Sequence, residues 1–222
     1  MARSVVLAGA PRCARCQFVP RWCICAGERA VVCPLQVEVL IHHREYHRPT
    51  STGRLINRVM PASRGHLFRR ETPPDPATFR LPGRELWILH PRGEPLPAGA
   101  APEGLQVLLL DGSWREAARM STEVAAWGRL VRLPEDGPGR YQLRTHEHDG
   151  RYSTVESLLM LLAALGLSEA EAQLRLQFEL HVYAGLRTRG AKGKAEEFLA
   201  SSPIRAAFPA LLEEMHRRRA AI

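Results

Sequence analysis

Asp111 is the first residue in the sequence whose type and setting point to chemistry. It follows an unbroken apolar run at residues 107–110 and opens the sequence Asp-Gly-Ser-Trp, after which a helical pattern begins at once. Such a run is typical of a strand that is buried on both faces, as in a parallel sheet. Ligands bind these sheets where the strands end at their carboxyl ends, so the carboxylate of Asp111 is the first candidate for a chemical role.

The same residues also allow an ordinary structural interpretation. Ser113 followed by Glu116 is a capping box, in which the serine hydroxyl and the glutamate carboxylate accept hydrogen bonds from free N–H groups at the start of a helix. Aspartate and glycine are common in turns between a strand and a helix. A chemical role for Asp111 therefore needs support from other parts of the chain.

Four cysteines near the start of the chain could bind a metal. Cys13 and Cys16 form a CxxC motif, and Cys23 and Cys25 form a CxC motif, all within thirteen residues. The first residues are too weakly apolar for a secretory signal, so we expect a reducing compartment, where clustered thiols bind metal more often than they form disulfides. The spacing predicts a structural zinc site, because four thiolates leave no position open for a substrate. Cys33 is expected to be a small buried residue.

The composition indicates a globular protein that favours polyanionic partners. Its 222 residues suffice for one large core with a small appendage, and 45% of them are hydrophobic. No apolar run reaches membrane-spanning length, so we expect a soluble, cytoplasmic protein that does not bind membranes. The net charge is +8 and is carried almost wholly by arginine, whose planar guanidinium suits phosphate oxygens and base edges. RNA or DNA is one explanation of this charge, and general solubility is the other.

The stretch after the first predicted strand, at residues 36–41, is rich in hydroxyl and basic groups. Residues 50–53, Thr-Ser-Thr-Gly, form a turn that leads into a short helical pattern. Hydroxyl groups and a glycine at a helix start, with arginines nearby, form a natural anion site, although a solvated basic loop with an ordinary helix cap explains them too. The arginines that could hold phosphates here are Arg44, Arg48, Arg54 and Arg58.

The remaining pattern predicts an α/β domain with a mostly parallel sheet and helices on both faces. Further strands are expected at residues 86–89 and 130–133, and an irregular connection is expected at 64–82. We divide the chain into a cysteine-rich zinc module, residues 1–34, and a main domain, residues 35–222.

The C-terminal half reads as mainly helical. Capping boxes at Ser153 and Ser168 are expected to open two helices, and the basic stretch 187–194 is expected to be mobile. Adjacent histidines and acids at 146–149 lack a partner motif and are a weak metal candidate. The sequence contains neither a GxGxxG turn after a strand nor a P-loop, so other loops would have to hold an adenosine.

The ordered motifs of nearly the whole chain resemble those of the DTW-domain family, whose members include tRNA-uridine aminocarboxypropyltransferases. Ser113 stands in place of the usual threonine in the name-giving motif, and Ser51 stands in place of the usual asparagine in T-N-T-G. Ser113 keeps the hydroxyl group and the helix cap. The matching positions are the cysteine cluster, His42, Glu45, the segment 50–55, Pro91, the segment 111–114, Tyr141, Leu143, Arg144, Ser153, Thr154 and Glu156.

The resemblance implies a SPOUT-like α/β domain with a knot in its C-terminal half that forms the site for S-adenosylmethionine. It implies transfer of the 3-amino-3-carboxypropyl group of S-adenosylmethionine to N3 of a uridine in tRNA, which leaves methylthioadenosine. In that reaction Asp111 is expected to take the N3 proton. Trp114 and Arg144 are expected on the RNA side, with a place in the core as the alternative for Trp114. By position in the family pattern, the donor is expected to contact Thr52, Gly53, Leu89, Pro91, Leu133, Tyr141, Ser153 and Thr154.

Two other functions fit the same residues. A SPOUT-like site for S-adenosylmethionine could serve methyl transfer, and only the family pattern argues against this. A zinc-containing RNA-binding protein without catalysis would explain the charge and the cysteines, but it gives no reason for Asp111 beside two hydroxyl-rich helix starts. We expect a monomer.

Overall fold

Five strands, all parallel, form one sheet in the computed structural model, which describes residues 10–134, 139–144 and 152–217. The prediction of a mostly parallel sheet is therefore confirmed. The weak metal candidate at residues 146–149 lies outside the described residues. The strands in chain order are β1 (Gln36–His42), β2 (Ser63–Phe68), β3 (Glu85–Pro95), β4 (Leu105–Asp111) and β5 (Arg129–Arg132).

The apolar strand β4 occupies the middle of the sheet, whose order is β2-β1-β4-β3-β5. It pairs with β1 on one side and with β3 on the other. In this register Asp111, the last residue of β4, lies opposite Ile41 near the end of β1. The carboxyl ends of the two strands therefore meet at one edge of the sheet, where ligands of parallel sheets bind.

Helices lie between the strands and after the last of them. Three are capped by the serine that precedes them, Ser51, Ser113 or Ser153, whose side chain accepts a hydrogen bond from the N–H three residues on. Such a cap stabilises a helix by about 1 kcal/mol. No helix in the described part of the chain is long and apolar enough to span a bilayer. The helices are α1 (His43–Tyr46), α2 (Thr52–Val59), α3 (Trp114–Val124), α4 (Thr154–Ala164), α5 (Ser168–Thr188), α6 (Lys192–Ala200), α7 (Ile204–Ala207) and α8 (Pro209–Arg217).

Side chains of the sheet enter two separate cores, one on each face. Val39 and Val107 belong to the core that contains apolar residues of α2, α4 and α5. Leu40 and Leu108, their chain neighbours, belong to the core that contains apolar residues of α3. Successive side chains of a strand point to opposite faces, so helices cover the sheet on both sides, as predicted.

The strand β3, predicted as a short strand before Pro91, is longer and irregular. Leu89 and Glu94 both lie opposite Val131 of β5, so the residues between them bulge out of the ladder. Gly93 approaches β5 so closely that an added Cβ would lie 2.6 Å from the backbone nitrogen of Val131. Only glycine fits this approach, which leaves Pro91 free to line the carboxyl edge of the sheet.

The cysteine-rich segment packs onto the core that contains α5. Phe18 is buried in that core, and Gln177 of α5 donates a hydrogen bond to the carbonyl of Gly27 at 3.1 Å. The backbone N–H of Val31 donates to the carbonyl of Val59, the last residue of α2, at 2.7 Å. The segment thus shares a core with the rest of the chain, and the boundary drawn between module and main domain stays a prediction.

Three local predictions were wrong. The stretch 64–82 was predicted to be irregular, but it contributes most of β2, an edge strand with mostly solvent-accessible side chains and hence no apolar signal. Ser168 forms no capping box, because α5 begins at Ser168 itself and Leu167 precedes it without a side-chain cap. The stretch 187–194 is helical at both ends, and α5 passes into α6 through one left-handed residue, Gly190 with φ +74°.

A buried ion cluster, which was not predicted, joins three strands. Glu38 of β1 is fully buried, and Arg64 of β2 donates to it at 2.6 Å. His66 Nε2 lies 2.7 Å from the same carboxylate, and Gln106 of β4 donates to it at 3.0 Å. Burial acts to raise the pKa of Glu38, but the hydrogen bonds from His66, Arg64 and Gln106 outweigh burial and hold this pKa below 4.5. Glu38 is therefore held as a charged carboxylate at neutral pH.

Replacing Glu38 with glutamine should reduce the acid sensitivity of the fold. A carboxylate whose pKa is lowered on folding stabilises the fold above its unfolded-state pKa, near 4.5, and this contribution is lost as the pH falls through the folded-state value. Urea denaturation at about pH 7 should give Glu38→Gln a free energy of unfolding that is roughly 1–3 kcal/mol lower than that of wild type. At about pH 4 this difference in unfolding free energy should be smaller. The exposed Glu103 provides the control, because Glu103→Gln should leave both values unchanged. A difference in unfolding free energy that stays constant with pH would contradict the stabilising role of the Glu38 charge.

Candidate active site

Asp111 is buried at the end of β4, where its carboxylate meets the starts of two helices. The hydroxyl of Ser51, before α2, donates to Oδ2 at 2.7 Å. The hydroxyl of Thr154, the first residue of α4, donates to Oδ1 at 2.6 Å. Each carboxylate oxygen has two lone pairs, so each keeps one acceptor position for a ligand. The carboxylate is therefore fixed in direction and keeps acceptor capacity for a ligand.

The helix α2 comes this close to Asp111 because Gly53 has no side chain. A Cβ added at Gly53 would lie 2.6 Å from Cγ of Asp111. Ser51 caps α2 by accepting a hydrogen bond from the N–H of Arg54 at 3.2 Å, so its hydroxyl proton remains available for the aspartate. One serine thus starts the helix and orients the carboxylate.

The capping box of α4, which the sequence predicted, also positions the segment 139–144. Glu156 accepts a hydrogen bond from the N–H of Ser153 at 2.7 Å, as a capping box requires. The other oxygen of Glu156 accepts from the N–H groups of Arg140 and Tyr141, at 2.6 and 2.9 Å. The start of α4 therefore holds both Thr154 and the neighbouring segment in place.

Tyr141 fastens this segment to the turn before α2. It is buried, and its hydroxyl donates to the carbonyl of Thr50 at 2.7 Å. Burial raises the pKa of Tyr141 to about 12, so the phenol remains protonated and acts as a hydrogen-bond donor. Tyr141 therefore supports the turn that carries Ser51.

A second buried carboxylate, Glu45 in α1, lies between two arginines. Arg144 contacts one of its oxygens, and Arg48 lies 2.6 Å from the other. Arg144 also donates to the hydroxyl of Thr50 at 3.3 Å. Burial raises the pKa of Glu45, the charge of Arg144 opposes this shift, and the charge of Asp111 adds to it. The site therefore combines two acids with two guanidinium groups.

These groups border a cleft of about 660 Å³ at the carboxyl edge of the sheet. Small-molecule sites typically have volumes of roughly 300–1,000 Å³. The structure brings most of the predicted site residues into its wall: Asp111, Thr52, Leu89, Pro91, Leu133, Tyr141, Ser153, Thr154, Trp114 and Arg144 all line it.

Gly53 and the four arginines predicted to hold phosphates lie outside the wall of the cleft. Arg48 contacts Glu45, and Arg54 donates to the carbonyl of Tyr46 at 3.1 Å. Arg58 pairs with Glu28 at 2.8 Å, and its side chain is only 14% exposed. Arg44 is exposed. The phosphate contacts of these arginines stay predictions.

Trp114 begins α3 and is 39% exposed. It lines the cleft beside Gly112 and Ser113. The alternative that assigned Trp114 to the core is therefore excluded, and its contact with RNA stays a prediction.

Several residues of the cleft were not predicted. Met160 and Ser157 lie on the face of α4 that carries Thr154, so helical spacing could have indicated them. His90 lies next to Pro91, and burial lowers its pKa, which keeps the imidazole neutral. Glu45 was recognised only as part of a motif and had no role assigned. The other unpredicted residues of the wall are Thr50, Arg92, Leu109, Leu110, Gly112, Ser113, Ala117, Ala118, Arg132, Pro134 and Tyr152.

The four cysteines form a second candidate site, as predicted. Their sulfur atoms all lie within 4.8 Å of one another, and Cys13 and Cys25 are separated by 3.6 Å. Ligand sulfurs at about 2.3 Å from a tetrahedral zinc ion lie about 3.8 Å apart, so the arrangement fits that metal. Burial raises the pKa of Cys16 to about 11, and a bound metal cation would stabilise its deprotonated thiolate form. Cys33 is half-buried and lies outside the cluster.

Comparison with known proteins identifies the family of this chain. No solved structure matches it. The DTW domain model matches residues 10–185, which include the cysteine cluster and every residue that lines the cleft. The chain therefore belongs to the DTW-domain family.

Proposed function

We propose that this chain transfers the 3-amino-3-carboxypropyl group of S-adenosylmethionine to N3 of a uridine in tRNA and releases methylthioadenosine. The observation that carries the proposal is Asp111, a buried carboxylate that two hydroxyl groups orient toward a cleft while both of its oxygens keep acceptor capacity. Membership of the DTW-domain family supports this class of reaction. The net charge of +8 supports RNA as the acceptor.

The residues of the cleft support S-adenosylmethionine as the donor. Leu89, Leu133 and Met160 provide apolar surface for the adenine. Besides the contact with RNA that was predicted for it, Arg144 offers a positive group to the charged amino-acid end of the donor, and Glu45 offers a negative one. When the donor is bound, its sulfonium supplies the activated carbon, so the protein has to align the acceptor and take up one proton.

Asp111 would receive the N3 proton of the uridine on a free lone pair of its carboxylate. Ser51 and Thr154 keep both oxygens directed by donating to them. A carboxylate is a weak base toward an imide, so the uridine anion needs stabilisation as it forms. Arg144 meets this need, because its charge acts on Asp111 from the same cleft. Burial of Asp111 keeps water from weakening that interaction.

The target uridine must be unpaired or extruded when it reacts. N3 lies on the pairing edge of the base and is covered in a duplex. Trp114, at the rim of the cleft, offers a face on which the extruded uracil can stack.

The proposal includes the remaining features that the family implies. Zinc would be held by Cys13, Cys16, Cys23 and Cys25 and would have a structural role. The C-terminal half would form a SPOUT-like knot around the donor site. We propose a monomer that acts on tRNA in the cytoplasm.

Two separately labelled batches of S-adenosylmethionine test the reaction. The purified protein is incubated with unmodified tRNA and donor that is labelled either in the carboxyl carbon or in the methyl group. Carboxyl label should enter the RNA without methyl label, and methylthioadenosine should be released. Entry of methyl label alone would show a methyltransferase instead. Binding of RNA with neither label incorporated would contradict the proposed transfer.

Replacing Arg144 with glutamine should weaken the binding of S-adenosylmethionine by about 10- to 100-fold, the usual effect of losing a charge-assisted hydrogen bond. Guanidinium has more donors than those that meet Glu45 and Thr50, so it can hold the donor's carboxylate as well. Calorimetric titration with the donor and with methylthioadenosine, which lacks the amino-acid end, separates this effect from a general loss of the site. The affinity for methylthioadenosine should stay within about twofold.

The matched control removes both charges of the pair. Arg144→Gln alone leaves the buried Glu45 with Arg48 as its remaining arginine, which costs stability. The double variant Glu45→Gln, Arg144→Gln should recover stability but not the affinity for S-adenosylmethionine. Equal weakening of both ligands in the double variant would show that Arg144 supports the cleft without contacting the amino-acid end.

A further inference from the structure

Tyr46 is an exposed aromatic residue beside the cleft that the proposed reaction does not use. It is the last residue of α1, is 44% exposed and follows Glu45, which lines the cleft. Four large hydrophobic side chains are exposed in the described part of the chain: Val32, Tyr46, Leu67 and Trp114. Of the two aromatic ones, Trp114 lines the cleft, and Tyr46 directly follows the cleft residue Glu45 in the chain.

Arg54 holds the ring of Tyr46 from one side. Its guanidinium lies 5.2 Å from the centre of the tyrosine ring, and it donates to the carbonyl of Tyr46 at 3.1 Å. The same guanidinium reaches the carbonyl of Arg15 in the cysteine-rich segment at 3.5 Å. Tyr46, Arg54 and Arg15 therefore form a continuous strip from the rim of the cleft to the cysteine cluster, which we call the Tyr46–Arg15 strip.

The charge around this strip is positive even after its acids are counted. Glu28 contacts both Arg15 and Arg58, at 2.6 and 2.8 Å, so one carboxylate faces two guanidinium groups. At the rim, Glu45 likewise contacts two arginines. Arg44, which shares α1 with Tyr46, and Arg12, which precedes Cys13, are both exposed. An aromatic face among arginines fits a single-stranded nucleic acid, whose bases stack and whose phosphates are anionic.

We propose that the Tyr46–Arg15 strip binds the unpaired nucleotides next to the target uridine, with one base stacked on Tyr46 and the backbone following Arg54 and Arg15 toward the cysteine cluster. This inference rests on the proposed function in taking RNA as the acceptor. It assigns to Tyr46 a task that the cleft alone cannot perform. Once the target base is extruded, its neighbours lose a stacking partner, and an aromatic ring beside the cleft replaces it.

The test compares single-stranded oligouridylate with an RNA duplex of the same length. Tyr46→Ala should weaken binding of the oligouridylate by about tenfold or more, whereas Tyr46→Phe, which keeps the ring, should stay within about twofold of wild type. Binding of the duplex should not change, because its bases are not free to stack. Wild-type affinity of Tyr46→Ala for oligouridylate would overturn the proposal.

The arginines of the strip are tested by the salt dependence of binding. Arg15→Gln should reduce the slope of log affinity against log salt concentration by about one, the effect of losing one phosphate contact. Arg129→Gln is the matched control, since Arg129 is also an accessible arginine paired with a glutamate. It begins the edge strand β5 and so lies at the amino edge of the parallel sheet, opposite the edge that carries the cleft. Equal salt-dependence slopes for Arg15→Gln and the control would contradict the proposed path of the RNA backbone past Arg15.

Two further measurements distinguish a failure of this inference from a failure of the proposed function. Tyr46→Ala should bind S-adenosylmethionine as wild type does, because Tyr46 does not line the cleft. Loss of donor binding in this variant would overturn the proposal by showing that Tyr46 supports the cleft itself. If wild type transfers no label but Tyr46→Ala still weakens oligouridylate binding, the proposed reaction is wrong and the proposal that the strip binds RNA is supported.

Discussion

Replacing Asp111 with asparagine should slow aminocarboxypropyl transfer by a factor of about 10² to 10⁴, the usual contribution of a general base. Asparagine keeps the size of the side chain. The hydroxyls of Ser51 and Thr154 can both donate and accept, so they can still hydrogen-bond to either end of an amide. Fold and donor binding should therefore persist while the proton acceptor is lost. Single-turnover transfer with saturating donor and tRNA measures the effect.

Single hydroxyl deletions provide the graded controls for this prediction. Ser51→Ala and Thr154→Val each remove one of the two hydrogen bonds that orient Asp111 and leave the carboxylate in place. Each should slow transfer by less than Asp111→Asn does. A wild-type rate in Asp111→Asn would rule out Asp111 as the base. An unchanged rate constant at saturation with much weaker donor binding would assign Asp111 to binding instead.

The position of Asp111 could be predicted because it depends on local pattern. A continuous apolar run fixes β4 as a buried strand, and the turn residues after it fix where the strand ends. The capping boxes at Ser113 and Ser153 formed as predicted for the same reason, since each joins residues three apart. Ser168 did not form one, because a favourable cap sequence does not decide which residue enters the helix first.

The partners of Asp111 could not be predicted, because they depend on which strands become neighbours. Ser51 and Asp111 are 60 residues apart in the chain, and they meet because β1 pairs with β4 rather than with β3. Glu45 and Arg144 are 99 residues apart, and no local pattern joins them. The resemblance to a family assigned Asp111 and Arg144 to the site, but it gave Glu45 no role and identified Ser51 only as a departure from a motif. The contacts between these residues fix the carboxylate of Asp111 and place the guanidinium of Arg144 in the same cleft.

Removing zinc should destabilise the fold by several kcal/mol, given that structural zinc contributes apparent binding free energies of about 10–16 kcal/mol in small zinc-binding peptides. We expect one zinc ion per chain, bound by the four clustered cysteines. Cys16, Phe18 and Ile24 belong to the same core as α5, so loss of the module's structure would expose part of that core. Thermal melting before and after treatment with a chelator under reducing conditions should show a large fall in the melting temperature. Cys16→Ser should show the same fall.

The effect of zinc removal should reach the cleft, because the cysteine-rich segment is fastened to α2. Arg54 of α2 donates to the carbonyl of Arg15, and the cap of the same helix, Ser51, orients Asp111. Below the melting transition, the metal-free protein should therefore bind S-adenosylmethionine about tenfold more weakly, within the usual range of coupling between sites. Cys33→Ser is the matched control, since Cys33 lies outside the cluster and should leave zinc content, melting temperature and donor binding unchanged. A metal-free chain that melts and binds donor as wild type does would refute both the structural role of zinc and its coupling to Asp111.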